Sequence, residues 1–509
     1  MEERPAKASN NFQLLLLLSV FVVATCGLIY ELIAGTLASY LLGDSVTQFS
    51  TIIGTYLFAM GIGSYLSKYF NNNLLTWFIR VEILVGMVGG FSAGLLFVLF
   101  EQIFYFRVLL YALVVATGTL VGLELPLLMR ILKDRVAFSD LVSRIFTFDY
   151  IGALFASLLF PLLFIPHLGL LRTAFFFGIL NVGVAWIVAW QFRRDIAHYR
   201  GLQWTAIICL ILLGAGFALS DRLTSFAESM TYPDKIVYTQ SSPYQRIVLT
   251  RSVRDWRLFL NGNLQFSSAD EYRYHEALVH PGLSRIANAR NILILGGGDG
   301  MAVREVLRYP SVEHITLVDL DSAVTKLFRS NAALRELNQH SLLSPKLSVI
   351  NQDAFVWIRD QQTTFDFIIV DFPDPSNYSL GKLYTTSFYR ELNRLLPAHG
   401  ALVIQSTSPF VARKSFWIID ATLRKAGFAT APYHCYVPSF GEWGFVLASR
   451  EPLTADYAMP SDLRFVTRET VQQLFSFTPD MVAAESTPNT LNNQVLVNTF
   501  EKEWADYTR

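Results

Sequence analysis

The sequence predicts an all-α polytopic membrane half followed by an α/β half on a mostly parallel, doubly wound sheet, with a small β-domain between them. Three observations predict this. Residues 1–220 hold only 24 of the 82 charged side chains among 509 residues. The same region contains seven apolar stretches of about 20 residues, the length of helix that crosses a bilayer core. After Pro281 short apolar runs alternate regularly with helical stretches, the pattern of strand–helix–strand units.

The overall composition agrees. Hydrophobic residues make up 52% and mean hydropathy is +0.36, too apolar for a wholly soluble enzyme or a disordered chain. Lys+Arg and Asp+Glu tie at 41 each, which excludes a general nucleic-acid binder. Cys26, Cys209 and Cys435 show no disulfide framework and no zinc-type spacing, so no metal site is expected.

The apolar stretches lie near 13–35, 46–67, 75–99, 106–129, 148–168, 170–192 and 203–220. The first runs far past any small-residue cleavage site, so it reads as a span and not a signal peptide. Glu31, Arg80, Glu82, Glu124 and Asp149 fall inside the stretches. Charge in hydrocarbon faces a partner or a wet cavity; a cation site is one reading, and an Arg80–Glu packing pair or a snorkelling side chain is the expected one. With the N-terminus inside, the inner loops carry ten Lys or Arg and the outer ones only Arg107 and Arg172. Seven crossings would then put the second half outside the cytoplasm, where the nucleoside donor inferred below is not made. The expectation is therefore a cytoplasmic second half and an even number of complete spans. The stretch with Pro161 and Pro166, or the short 203–220, is then the one that does not cross fully.

Residues 221–280 read as a linker and a small β-domain. Strand-like runs at 236–239, 245–250 and 257–260 precede Asn261-Gly262, a hairpin turn signal. Residues 281–450 form the α/β domain and 451–509 a C-terminal extension. Ligands of such sheets sit at the carboxyl ends of the strands. The first strand, Asn291–Leu295, runs into Gly296-Gly297-Gly298-Asp299-Gly300-Met301, which lacks the third glycine of a dinucleotide fingerprint. Asp299 would repel a phosphate and attract a cation. Asp319 stands 23 residues after Gly296, the usual place for an acid on ribose hydroxyls. Asp353 ends the third strand, placed for an adenine or its ribose. These features describe a nucleoside site without a phosphate clamp, suited to an adenosyl sulfonium. The fourth strand ends in Asp371-Phe372-Pro373-Asp374-Pro375, and Tyr274-His275-Glu276 with Glu442-Trp443 would add aromatic and polar walls. Carboxylates among aromatic faces suit an aliphatic amine.

The soluble half resembles the spermidine synthases, the polyamine aminopropyltransferases. The motifs are Ser242–Gln245, Leu260–Gln265, Asp270–Glu276, Gly296–Gly300, Val318–Asp321, Asp371–Pro375 and Gly441–Phe445, in family order over about 236–450. The whole chain looks like the membrane-bound subgroup with a multi-span N-terminal domain. The resemblance implies a β-hairpin cap on a Rossmann-like domain of the class I methyltransferase type. It implies decarboxylated S-adenosylmethionine as co-substrate, a diamine such as putrescine as acceptor, no other cofactor, and a homo-oligomer in the bilayer of the cell membrane. By matching position, Gln245, Asp319, Asp353 and Ala354 would hold the thioadenosine part. Tyr274, His275, Asp299, Asp371 and Asp374 would hold the amine, with Asp371 as proton acceptor. The sequence departs from the family at Phe372 and Pro373, where serines are usual, at Tyr378, where a proline is usual, and in a shortened segment around Pro438-Ser439-Phe440. Two other readings are a methyltransferase on the same fold, against which Asp299 argues, and a polyamine-binding transporter or sensor.

Overall fold

A chain in lipid must satisfy its backbone polar groups within each segment, and the apolar stretches accordingly all become helices. The computed structural model describes residues 10–42, 45–100, 105–133, 138–196, 198–232, 234–453 and 458–507, and divides into two compact units, Met1–Pro233 and Asp234–Arg509. The first holds α1 (Asn10–Leu42), α2 (Ser45–Leu66), α3 (Leu74–Leu99), α4 (Phe106–Leu132), α5 (Phe138–Leu159), α6 (Ile165–Gln191) and α7 (Tyr199–Thr231).

Among the described residues, six helices are long and apolar enough to cross a membrane, and one of these, Asp140–Gln191, is 52 residues long. At about 1.5 Å per residue this is more than twice a bilayer core. It is two arms. A π-helical turn at Phe160–Phe164 accommodates Pro161, and the backbone breaks at Gly169 with φ 72°. Phe164 then packs edge-on against Phe177 at 5.0 Å, and α6 runs antiparallel to α7, with Arg172 paired to Asp221 and Phe175 packed where Gly216 leaves room. The break divides this helix into two apolar arms, while the helices that could cross number six among the described residues. The α-helix of the fifth stretch ends at Leu159, before the π-helical turn that holds Pro161.

The expected Arg80–Glu pair is not formed among the described residues. Arg80 is exposed, its guanidinium 5.1 Å from the Trp77 ring, whereas Glu82 and Glu124 are 0% and 1% exposed.

The second unit opens with an antiparallel sheet of β1 (Lys235–Ser241), β2 (Arg246–Arg251), β3 (Trp256–Leu260) and β4 (Asn263–Ser267) in that order. Asn261 and Gly262, at φ 51° and 82°, make the tight turn between β3 and β4. Helix α8 (Glu271–Leu283) follows. The main sheet contains β5 (Asn291–Gly296), β6 (His314–Asp319), β7 (Leu347–Asn351), β8 (Phe367–Asp371), β9 (Ala401–Gln405), β10 (Ala429–Val437) and β11 (Gly441–Ser449). Its order is β10-β11-β9-β8-β5-β6-β7. Five strands are parallel, and β10 and β11 close one edge antiparallel. Alternate residues go to opposite buried faces: Ile292, Ile294, Phe367 and Ile369 to one, Leu293, Leu295, Ile368 and Val370 to the other. This is why the strands read as unbroken apolar runs. The chain leaves β5 toward β6 and β7, then returns to the other side at β8. The β5/β8 crevice is thus the switch point where such sheets bind ligands. The C-terminal residues are part of this unit, since the N–H groups of Arg464, Phe465 and Val466 donate to Glu276 at 2.9, 2.7 and 3.0 Å.

Candidate active site

At the switch point Gly296 pairs with Asp371. Gly296 has φ 84°, and a Cβ there would lie 2.1 Å from the Asp371 carbonyl oxygen, so only glycine lets the two strand ends approach. The next turn folds over the end of β6, where Asp319 accepts the N–H of Gly298 at 3.0 Å and of Asp321 at 2.9 Å. Burial lifts the Asp319 carboxyl to about 6 against the pull of these two bonds, and the charges of Asp299 and Asp321 add to the rise. The hairpin domain reaches the same point, where Ser242 Oγ and Gln245 Nε2 donate to Asp321 at 2.6 and 2.9 Å. Asp321 thus ties the hairpin domain to the strand end that presents Asp319. Asp353 takes the N–H of Phe355 at 2.9 Å and the Lys382 ammonium at 2.6 Å, with the buried Ala354 beside it.

On the other side of the crevice the Tyr274 hydroxyl donates to Asp371 Oδ1 at 2.5 Å. Tyr274 packs against Phe445 at 5.4 Å and Phe440 at 6.2 Å, and Phe440 meets Trp443 at 5.2 Å, so α8 and the β10–β11 turn supply an aromatic wall. His275 Nδ1 faces two acceptors, the Glu271 carbonyl at 2.9 Å and Glu271 Oε2 at 2.8 Å, so Nδ1 carries a proton. Burial alone would depress His275; its bond to Glu271 and the charges of Glu271, Asp299 and Asp371 outweigh that and hold it at about 9. Arg304 grips Glu271 with two parallel bonds of 2.9 Å. Despite burial, His275 and Arg304 keep Glu271 at about 2.

The loop after β8 is held from beneath. Gln405 Nε2 donates to the Phe372 carbonyl at 2.6 Å, and the Tyr384 hydroxyl to that of Pro373 at 3.0 Å. Asp374 accepts from Gln405 and from Thr407 Oγ1, both at 3.3 Å. Thr407 has φ 56°, a conformation that strains a β-branched residue and occurs where function demands it. Asp371 and Asp374 are crowded by protein but still touched by solvent. Burial lifts Asp371 to about 6, with His275 and the Tyr274 bond pulling it down and Asp299 pushing it up. Burial lifts Asp374 to about 7 against its bonds to Gln405 and Thr407.

Residues 271–457 match the spermine/spermidine synthase domain. A polyamine aminopropyltransferase of Ralstonia nicotianae is 55% identical over 98% of this chain and 100% of its own. One from Leptospira interrogans is 51% identical over 97% and 99%, and one from Streptomyces coelicolor 42% over 98% and 96%. The chain belongs to the spermine/spermidine synthase family.

In this aminopropyltransferase the residues predicted for the amine converge. Tyr274 touches Asp371, and His275, Asp299 and Asp371 act on one another electrostatically. Asp299 also accepts the Met301 N–H at 2.8 Å, so it caps the helix Met301–Val306 as well as charging the turn. Two expected wall residues are elsewhere: Glu276 is spent on the backbone of 464–466, and Glu442 binds His434 at 2.8 Å. At the departures from the family pattern, Phe372 is buried and packs 5.9 Å from Phe388, and the Tyr378 hydroxyl meets Asn498 at 3.3 Å. The shortened segment is pinned by Ser439, whose N–H and hydroxyl donate to Asp270 at 2.6 and 2.9 Å. Sequence reasoning missed the supports: Glu271, Arg304, Asp321, Gln405 and Thr407. Glu271 had a signal, one helical turn before His275 in α8. Arg304 and Thr407 had none, because tertiary contact alone brings them to the site.

Proposed function

We propose that the crevice transfers the aminopropyl group of decarboxylated S-adenosylmethionine to a diamine, putrescine giving spermidine, with release of methylthioadenosine. The observation that carries this reading is the Tyr274–Asp371 pair at the end of β8, facing the glycine turn and Asp319. In this reading Asp319, with Gln245 positioning Asp321 behind it, holds the ribose. Asp353 and Ala354 flank the base, and the Lys382 partner of Asp353 moves to admit it. The acceptor arrives as an ammonium, with a pKa of about 10.4 like lysine. Asp371 and Asp374 bind it, and the aromatic wall of Tyr274, Phe440 and Trp443 covers its methylenes.

As the amine lone pair attacks the carbon next to the sulfonium, the carbon–sulfur bond breaks and its electrons neutralise sulfur. The ammonium proton passes to Asp371. A carboxylate held at about 6 is ionised at neutral pH yet more basic than a free one. Fixed negative charge from Asp299, Asp371 and Asp374 offsets the repulsion of a cationic donor and a cationic acceptor. Asp299 also disfavours the carboxylate of ordinary S-adenosylmethionine, which argues against methyl transfer. The test is turnover by the purified full-length protein with the decarboxylated donor and putrescine. Methylthioadenosine release is expected; adenosylhomocysteine formed from the ordinary donor, or binding without turnover, would overturn the reading.

The same proposal places 1–220 in the cell membrane as a multi-pass domain, 221–280 as linker and cap, 281–450 as the catalytic domain and 451–509 as an extension, in a homo-oligomer. Seven alternating arms put the two ends of the membrane half on opposite sides. Because the donor nucleoside is made in the cytoplasm, the catalytic half belongs there and the N-terminus outside. The loop-charge bias, a statistical rule, is what this gives up. Reporter fusions at the C-terminus decide it: fluorescence without phosphatase activity is expected, and phosphatase activity would place the enzyme outside.

A further inference from the structure

The membrane half contains a second set of buried acids, on three-dimensional terms unlike any surface cluster. Glu82 on α3 and Glu124 on α4 are 0% and 1% exposed, and no lysine or arginine among the described residues pairs with them. Both Glu82 oxygens and Glu124 Oε1 have no hydrogen-bond partner. Two neutral side chains share their isolation. Asn181 on α6 is 0% exposed with its nitrogen and oxygen both unpartnered, and the buried Tyr30 hydroxyl on α1 has no partner.

These groups meet. Tyr30 interacts electrostatically with both Glu82 and Glu124, and Glu124 with Glu82. The Asn181 Cβ lies 3.3 Å from where a Cβ of Gly86 would stand, one helical turn from Glu82, and the Tyr30 ring fills the space beside Gly89, 2.6 Å from where its Cβ would be. Cys26, one turn before Tyr30, reaches the carbonyl of Phe177, one turn before Asn181, at 3.6 Å. Four helices therefore place these side chains in one region of the bundle, with Tyr30, Glu82 and Glu124 within electrostatic reach of one another.

The character of those atoms selects the ligand. A carboxylate in hydrocarbon requires a cation or a proton. Protonation would let Glu82 or Glu124 donate to a neighbouring oxygen, and the labelling experiment below separates that case from a bound cation. A metal ion is a poorer match, since no three His, Cys, Asp or Glu among the described residues are grouped to hold one. An excess of acceptors calls for a group that only donates and is positive, and an alkylammonium is such a group, with three N–H donors and no acceptor. Beside Glu124 the bundle is hydrocarbon, lined by Val20, Val23, Phe78, Leu125 and Leu128, and it is packed so closely that an occupant must part these side chains.

We propose that Glu82 and Glu124, with Asn181 and Tyr30, form an alkylammonium-binding site inside the membrane half, separate from the catalytic crevice. That its occupant is an amine rests in part on the reading of the catalytic half as an amine enzyme. Equilibrium binding of radiolabelled putrescine to the full-length protein in lipid nanodiscs tests it. Two sites per chain are expected. In the E82Q/E124Q protein the membrane site should weaken about tenfold or more, equivalent to about 1.4 kcal/mol, while kcat for methylthioadenosine release stays within about twofold of wild type. Tyr30→Phe, which keeps the packing, should weaken the same site about threefold and covers the case in which the double variant fails to fold. One putrescine per chain, or two sites indifferent to every variant, would overturn the proposal. So would carbodiimide labelling of Glu82 or Glu124 that putrescine does not protect against, which would mark a proton site. A membrane site in protein that does not turn over would support this proposal while breaking the enzymatic reading.

Discussion

Two layers of buried carboxylates lie in the catalytic half, and they are opposite in behaviour. In the layer behind α8, Glu271 and Glu305 both sit at about 2 in spite of burial, because Arg304, His275 and His280 supply positive charge and hydrogen bonds. In the layer at the strand ends, burial wins: Asp319 and Asp371 rise to about 6 and Asp374 to about 7. The first layer carries its counter-charge within the chain and is architecture. The second lacks enough of it, and in an enzyme of this family the missing positive charge arrives with the substrate. Glu82 and Glu124 in the membrane half extend that contrast, since both Glu82 oxygens and Glu124 Oε1 have no hydrogen-bond partner among the described residues.

The comparison can be broken at its strongest point first. Asp371→Asn removes the proposed proton acceptor and should leave donor binding intact, so kcat should fall about 10²–10⁴-fold; a variant within about threefold of wild type would return Asp371 to the architectural layer. Glu271→Gln attacks the other layer. It removes one of the two buried carboxylates that partner Arg304, Glu305 remaining at 2.7 Å, a loss of about 1.5–3 kcal/mol in stability, read as a lowered unfolding midpoint with donor binding preserved in whatever folds. It also has a pH signature. Because His275 is raised from 6.5 to about 9 by Glu271, its stabilisation is complete below about pH 6.5 and disappears as pH rises through about 9. Glu271 is depressed, so its own share is complete above about pH 4.5 and goes as pH falls through about 2. The alkaline loss should flatten in the variant.

Smaller effects separate binding from chemistry. Asp319→Ala should raise the donor KM about tenfold with kcat unchanged, because a ribose contact is made equally in ground and transition states. Tyr274→Phe should cost only a few-fold in kcat. Its hydrogen bond is among the influences that lower Asp371, so the acid limb of the kcat profile should move to higher pH; an unmoved limb would mean that Asp371 is not the group that titrates there.

The alternation of apolar runs with helical stretches made the parallel sheet legible, and the strand ends at Gly296, Asp319 and Asp371 located the crevice. The seven apolar stretches fall in six span-length helices, the fifth and sixth sharing one long segment that breaks at Gly169. What sequence could not show was allegiance. Glu276 stands beside His275 and looks equally available, yet its partners lie near 464–466. Asp353 has the spacing of a ligand contact and is met by Lys382. Periodicity reports which face a residue takes, and pairing across tens or hundreds of residues lies outside its reach. Arg80 misled for the same reason: hydropathy gave its depth, and only packing shows that it turns outward onto Trp77.

The Glu276 contact also has a consequence for the order in which the molecule is made. Helix α8 carries Tyr274 and His275, but the backbone groups that finish its Glu276 leave the ribosome 188–190 residues later. Contacts of such long sequence separation form late and slowly. Until residues 464–466 emerge, the three N–H donors that satisfy Glu276 in the folded state are missing, and burying that carboxylate is unfavourable. The helix that carries Tyr274 and His275 is therefore finished only after residues 464–466 have been made, and a transcript truncated before that point should yield a protein that does not fully assemble this side of the crevice.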